Sequence, residues 1–255
     1  MNDFSLYLRA VRLDEACGGA LADEDCFALR LPAVQALREE LQFAGPVTFL
    51  CGENGTGKST LLEALAVAAG FNPEGGSRNF HFSTADTHTG LHRFLRLRRG
   101  PRREKDGYFL RAESFYNVAT EIQRLDAIPA AGRPVLDSYG GRSLHAQSHG
   151  ESFLALVLNR FGGQGLYLLD EPEAALSASR QLTLLAALHG LCQQGSQFII
   201  ATHSPILLAY PGADILVLSD QGLARTPYKD TMPYQVTKAF LDDPARMLDA
   251  LLAPM

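Results

Sequence analysis

Apolar residues along this chain fall into two kinds of run, and the difference between them predicts the architecture. Over residues 4–12 (FSLYLRAVR) and again over 26–31 (CFALRL), apolar and polar positions alternate, as in strands with one buried face. An antiparallel edge sheet is therefore expected ahead of residue 47. Between 32 and 41 the spacing of Val34, Leu37 and Leu41 predicts a short helix. The runs 47–51 (VTFLC), 166–170 (LYLLD), 197–202 (QFIIAT) and 214–219 (DILVLS) are nearly continuous in apolar character, as strands covered on both faces are. Helical stretches are expected at 59–69, 115–125, 151–161 and about 175–191, the last with Leu184, Leu185, Leu188 and Leu191 on one face. Strands alternating with helices in this way predict an α/β fold, a mainly parallel sheet flanked by helices. Residues 91–100 and 105–114 read as the two strands of a hairpin around a basic, Pro-containing turn, whereas 72–90 and 127–149 have the composition of irregular chain. Asp220, Gln221 and Gly222 turn the 214–219 strand into a short partner, and two helical pieces follow. With no internal repeat, one domain over 1–255 is expected.

Composition changes this picture only locally. The 255 residues suffice for a substantial core, and the net charge of −5 gives no global argument for a nucleic-acid partner. Positive charge is instead concentrated in the expected hairpin, in Arg93, Arg96, Arg98, Arg99, Arg102, Arg103, Lys105 and Arg111. Two readings stand there, a solvated face or a contact for an anion or nucleic acid. Cys17, Cys26, Cys51 and Cys192 are too scattered to suggest zinc or a disulfide framework. No run approaches the about 18 apolar residues of a membrane span, so direct membrane insertion is not expected and a soluble, cytoplasmic protein is.

Chemistry enters at residues 47–70. An apolar strand breaks at Gly52 and leads through a glycine-rich turn into a helix, and Gly52, Glu53, Asn54, Gly55, Thr56, Gly57, Lys58 and Ser59 fill the pattern G-x-x-x-x-G-K-[ST]. This spacing wraps backbone N–H groups around nucleotide phosphates, with the helix N-terminus, continued by Thr60, adding partial positive charge. Lys58 can reach the β and γ phosphates and the Ser59 hydroxyl can bind Mg²⁺. The strand 166–170 ends in Asp170, where a carboxylate can hold that Mg²⁺, and Glu171 follows as a candidate general base or water-positioning group. His203 closes the strand at 197–202; a structural histidine and a catalytic one are both compatible with the residue alone, and its place at the C-terminal end of a parallel strand favours the second.

Taken in order, GENGTGKST, LYLLDEPEAAL and ATHSPILLA resemble the Walker A, Walker B and switch-histidine segments of the ABC-type ATPases, and QSHGES (147–152) resembles their signature loop. The likeness spans about 47–205 and points to the small stand-alone ATPases grouped with RecF, SMC and abortive-infection ATPases. It implies a P-loop fold of ABC type, with a basic hairpin insertion at about 91–114 and a signature-bearing segment at about 115–163. It also implies ATP and Mg²⁺ as ligands, Glu171, His203 and Lys58 as catalytic residues, and a homodimer formed on ATP binding. In that dimer Ser148 and Gly150 close over an ATP held by the other copy's Lys58, and His203 senses the γ phosphate. The chain departs from the pattern at His149, where a glycine is usual, and at Glu151, where glutamine is usual. Glu113 is the nearest candidate for the missing glutamine-loop residue, and the usual dimer-contact Asp is absent from Ala174, Ala175, Leu176 and Ser177. Either Tyr7 or Phe27 could stack on adenine.

The resemblance supports an ATPase acting in a nucleic-acid-related, phage-defence or toxin–antitoxin process. The alternative is the nucleotide-binding subunit of a transporter, for which the segment 114–147 leaves little room for a helical docking subdomain. A non-hydrolysing switch would not need Glu171, and a small-molecule kinase would not need the signature or His203.

Overall fold

The computed structural model describes residues 6–14, 24–77, 90–111 and 148–253, together with Thr120, Arg124, Asp126, Leu136, Asp137 and Gly141. The near-continuous apolar runs become the parallel centre of a seven-stranded sheet, in the order β10-β9-β3-β8-β7-β6-β4. Its strands are β3 (Val47–Cys51), β4 (Gly76–Ser77), β6 (Asp106–Arg111), β7 (Gly165–Asp170), β8 (Gln197–Ala201), β9 (Asp214–Ser219) and β10 (Gly222–Arg225). Strands β9, β3, β8, β7 and β6 are mutually parallel, and β10 and β4 close the two edges antiparallel.

Why these runs lack alternation is plain from the two cores. Leu50, Phe109, Leu166, Leu168, Ile199 and Leu216 face one cluster, which α2 (Lys58–Ala69) covers with Leu61, Leu62 and Leu65. The residues between them, Phe49, Tyr108, Tyr167, Leu169, Phe198 and Ile200, face the other. That side is covered by α3 (His149–Arg160) and α4 (Ala178–Gln193), through Phe153, Leu156, Val157, Leu184, Leu188 and Leu191. Each strand thus presents apolar side chains to a core on both faces.

A second, three-stranded antiparallel sheet has the order β2-β1-β5, with β1 (Leu8–Leu13), β2 (Leu41–Gln42) and β5 (Leu95–Arg99). Buried Gln197 joins it to the main sheet: its Oε1 accepts the N–H groups of Tyr7 and Leu8, each at 2.9 Å, and its Nε2 donates to Leu8 O at 2.8 Å.

Several expectations are corrected. The stretch 26–31 is not a strand but the end of a 3₁₀ helix, Glu24–Arg30, because Ala28 and Leu29 are both buried, which no strand with one buried face allows. Pro32 then opens α1 (Pro32–Gln35), which continues as 3₁₀ helix Ala36–Arg38, so the helix expected at 32–41 is shorter and partly 3₁₀. Residues 90–94 form another 3₁₀ helix. Among the described residues the hairpin expected at 91–114 is not formed: β5 pairs with β1 and β6 pairs with β7, so the basic loop between them crosses from one sheet to the other. Within 72–90, β4 occupies Gly76–Ser77, and most of the helix expected at 115–125 lies outside the described residues.

A short helix, α5 (Pro205–Leu208), follows β8, and the two closing pieces after β10 are α6 (Met232–Asp242) and α7 (Pro244–Leu252). Neither of the last two buries a residue. No helix among the described residues is long and apolar enough to cross a membrane.

Candidate functional site

The phosphate loop starts where β3 stops, between β9 and β8 inside the sheet and at the C-terminal end of its parallel strands. Gly52 has φ +152°, and a Cβ there would lie 2.3 Å from the Leu218 carbonyl oxygen, so the loop leaves the strand only because that position has no side chain. The loop braces itself on the Glu53 carbonyl oxygen, which accepts from Thr56 Oγ1 and from Lys58 Nζ, both at 2.9 Å. Helix α2 begins at Lys58 with Gly57 as its N-cap, so no side chain engages its first N–H groups, the arrangement that favours an anion there. Lys58 is only 4% exposed. Burial draws its pKa below that of an ordinary lysine, and Glu171, Asp170 and Glu173 pull the other way without restoring it.

Ser59 and Asp170, far apart in sequence, meet: Ser59 Oγ donates to Asp170 Oδ1 at 2.9 Å. Two hard oxygen donors side by side, next to a phosphate loop, fit a Mg²⁺ ion. Arg111, expected in a basic hairpin either as part of a solvated face or as an anion contact, instead reaches inward, its Nη1 2.7 Å from Glu63 Oε2 and its Nε 3.9 Å from Asp170 Oδ2.

Glu171 adopts a left-handed backbone, φ 47° and ψ 53°. For a residue with a Cβ this costs about 1–3 kcal/mol and persists only where neighbours enforce it. Here its N–H donates to Ala201 O at 2.9 Å and its carbonyl accepts from Ala174 at 3.0 Å. The carboxylate comes within 3.3 Å of His203 Nε2, without the alignment of a hydrogen bond. The His203 backbone is held from below: its N–H donates to Glu173 Oε1 at 2.6 Å, and Thr202 Oγ1 donates to the same oxygen at 2.7 Å. Ser204 then caps α5 through Ile206 and Leu207 and donates to Gln181 Oε1.

Two cavities flank the loop. One, of 240 Å³, brings together Asn54, Gly55, Gly57, Lys58, Ser59, Thr60 and Glu171, with Phe27 and Leu31 at its rim. That volume suits a phosphate chain rather than a whole nucleotide. The other, of 540 Å³, lies against Gly52, Glu53, Thr56 and His203 and is closed by Met232 and Val236 of α6. Of the two aromatic candidates, Phe27 is 58% exposed beside the phosphate loop, whereas Tyr7 is buried with its hydroxyl donating to Gly195 O at 2.8 Å. Tyr7 is therefore a core residue.

Ser148 and Gly150 are not brought to this cavity. Ser148 is the exposed N-cap of α3, in a capping box with Glu151, whose carboxylate returns to the Ser148 N–H at 3.1 Å. The Glu that replaces the usual Gln thus has a structural task, strengthened by Arg180 Nη2 at 3.0 Å. The Ser148 contact and the Arg180 guanidinium hold its carboxyl below the usual range. Gly150 is buried, and a Cβ there would lie 2.6 Å from Ala175 O and 2.7 Å from Arg180 Nη1. Gln147 and Glu113 lie outside the described residues. Sequence reasoning missed Glu173 and Arg180, since an acid after Pro172 and a basic residue in a helix carry no signal until the fold shows what they touch.

Comparison with known proteins follows the same outline. A family model described as "AAA domain" matches residues 34–121, and one described as "AAA domain, putative AbiEii toxin, Type IV TA system" matches residues 135–209. The vitamin B12 import ATP-binding protein BtuD of Escherichia coli (strain K12) is 32% identical over 174 residues, covering 63% of this chain and 67% of that protein. The protein of the same name from Shigella boydii serotype 18 matches equally, at 32% over 174 residues. Among solved structures, MJ1267, an ATP-binding cassette of an ABC transporter, superposes with a TM-score of 0.50 at 16% identity, covering 94% of this chain and 96% of that one. At that identity the likeness concerns the fold.

Proposed function

We propose, from the premise that this chain belongs to the ABC-type ATPases and hydrolyses ATP as they do, that its active site is completed by a second copy of itself. In this reading Lys58 and the N-terminus of α2 bind the β and γ phosphates, and Gly52, Glu53, Asn54, Gly55, Thr56, Gly57 and Thr60 form the surrounding cradle. Ser59 and Asp170 would hold Mg²⁺, which when bound neutralises charge on the phosphates. Glu171 orients and deprotonates the attacking water, His203 faces the γ phosphate, and Phe27 stacks on the adenine. The strained backbone of Glu171 sets its side chain at the edge of the cavity, where it stays partly exposed.

The observation that carries the two-copy reading is that Ser148 and Gly150, at the N-terminus of α3, lie outside both cavities that flank the phosphate loop, the one lined by Lys58, Ser59 and Glu171 and the one that reaches His203. An ATP-dependent homodimer, Ser148 and Gly150 of each copy closing over the other's nucleotide, would join the two halves. The test is the mass of Glu171→Gln by light scattering with ATP. Doubling on ATP addition is expected, with turnover reduced about 10²-fold or more. A protein that stays monomeric at high protein and ATP concentrations defeats the sandwich.

For the process coupled to hydrolysis, the toxin–antitoxin description of the model matching 135–209 supports a defence role; a nucleic-acid-related role in the cytoplasm, among ATPases of the RecF and SMC kind, rests on the sequence resemblance alone. The similarity to a vitamin B12 import protein supports the alternative, a transporter's nucleotide-binding subunit. Co-purification separates them: a membrane permease as stable partner favours transport, and a nuclease or small antitoxin-like protein favours defence.

A further inference from the structure

We propose that Glu173 is the positioning residue that fixes His203 for ATP turnover. The inference rests on the reading of His203 as the residue facing the γ phosphate. His203 Nε2 has no hydrogen-bond partner among the described residues, and its 3.3 Å approach to Glu171 Oε1 lacks hydrogen-bond alignment. The ring therefore takes its place from its backbone. That backbone is tied to one carboxylate oxygen: Glu173 Oε1 accepts the His203 N–H at 2.6 Å and the Thr202 hydroxyl at 2.7 Å. Thr202, fully buried, passes the restraint on, because its Oγ1 accepts the Ser204 N–H at 3.0 Å. Three consecutive residues are thus referred to Glu173, Thr202 and His203 directly and Ser204 through the Thr202 hydroxyl.

The other end of the clamp is equally fixed. Glu173 lies in the 3₁₀ helix Pro172–Ala175 directly after Glu171, and the Glu171 N–H donates to Ala201 O at 2.9 Å. Three bonds therefore hold the segment bearing Glu171 against the segment bearing His203. The second oxygen of Glu173, Oε2, is buried with no hydrogen-bond partner among the described residues, so the side chain acts through Oε1. Its effect on chemistry is indirect: it sets where His203 stands relative to Glu171.

The test is a double-mutant cycle on kcat and KM for ATP. Glu173→Ala is expected to lower kcat about tenfold to a hundredfold, as a displaced reacting group does, with KM within about threefold. In a His203→Ala background the same substitution should cost less than about twofold more, because residues acting as one unit are not additive. Glu173→Gln keeps the accepting oxygen and should stay within about fivefold of wild type. An equal loss from Glu173→Ala in both backgrounds overturns the proposal, as does Glu173→Gln falling as low as Glu173→Ala. If His203→Ala alone leaves turnover unchanged, the reading of His203 fails and this inference with it; if His203→Ala is impaired and Glu173→Ala is not, only this inference fails. Should Glu173→Ala lose its cooperative melting transition, Thr202→Val, which removes the donor to Glu173 and the acceptor of the Ser204 N–H but leaves the carboxylate and its bond to His203, carries the cycle under the same criteria.

Discussion

At the scale of single residues, the site is built by placing groups where they are uncomfortable. Lys58 is nearly fully buried, and burial lowers its pKa although three carboxylates oppose the shift. Its charged form is therefore less favourable in the folded protein than in the unfolded one, and the sign of the consequence is fixed. Below its folded pKa the ammonium costs stability; as pH rises through that value toward the unfolded value the penalty disappears. Lys58→Met, similar in length and apolar, should raise the melting temperature of the nucleotide-free protein near neutral pH. The advantage should shrink as pH approaches the ordinary lysine range. Thermal melts of both proteins from pH 7 to 10 check this; a constant difference would mean that the lysine's charge is not the cause. The variant would also lose tight ATP binding, separating a residue kept for function from one kept for stability. Glu171, strained in the left-handed region, shows the same trade within one loop.

At the scale of elements, what matters is how the signature-bearing helix is registered against the sheet. Asp106, at the start of β6, holds the far end of α3: Arg160 Nη1 lies 2.9 Å from its Oδ1, the Gly162 N–H donates to Oδ2 at 3.1 Å, and the Tyr167 hydroxyl lies 2.8 Å away. Burial raises the Asp106 pKa, but the Tyr167 hydroxyl and Arg160 outweigh it, and the net shift is downward. The stability it contributes is then present above the unfolded carboxyl value and lost as pH falls through the lower, folded one. Asp106→Asn should therefore be less stable near neutrality and show a shallower acid limb below about pH 4 in denaturant titrations, since a model carboxyl titrates there. An acid limb as steep as wild type would remove Asp106 from the account. Such a cluster is not legible in sequence, because Asp106, Arg160 and Tyr167 are ordinary residues in three separate elements. The strands β3, β7, β8 and β9 were legible, since double-sided burial leaves continuous apolar runs, and the phosphate loop was legible because its chemistry is local. Strand pairing was not: β5 and β6 are separated by a short turn, yet each finds its partner elsewhere, β5 on β1 and β6 on β7. The alternation at 26–31 misled for a related reason, since a 3₁₀ helix can bury neighbouring residues that a strand would split between its faces.

At the scale of the whole molecule, the crossing between the two sheets decides what the basic cluster can do. A hairpin would have displayed its arginines together; the crossing instead leaves three of them at the surface paired with nearby acids and turns one inward. Arg96 pairs with Asp14 at 2.5 Å, Arg98 with Glu40 at 2.8 Å and Arg99 with Glu104 at 3.6 Å, while Arg111 turns inward to Glu63 and Asp170. Arg102, Arg103 and Lys105 remain exposed on the crossing loop of a protein whose net charge is −5. If the nucleic-acid role holds, the contact is this corner and not the row of arginines along β5. The salt dependence of binding can tell the difference, because each neutralised phosphate contributes about 0.9 to the slope of log affinity against log salt on duplex DNA. Arg102→Glu with Arg103→Glu should weaken binding to labelled duplex and flatten the slope by about 2. Arg98→Glu should flatten the slope by less than about 1, since Glu40 at 2.8 Å already neutralises part of that charge. Fluorescence anisotropy across a salt series measures both. An unchanged slope in the double variant would take nucleic acid away from the crossing loop, and with it the electrostatic argument for a nucleic-acid partner, leaving the defence and transport readings to be separated by the protein that co-purifies.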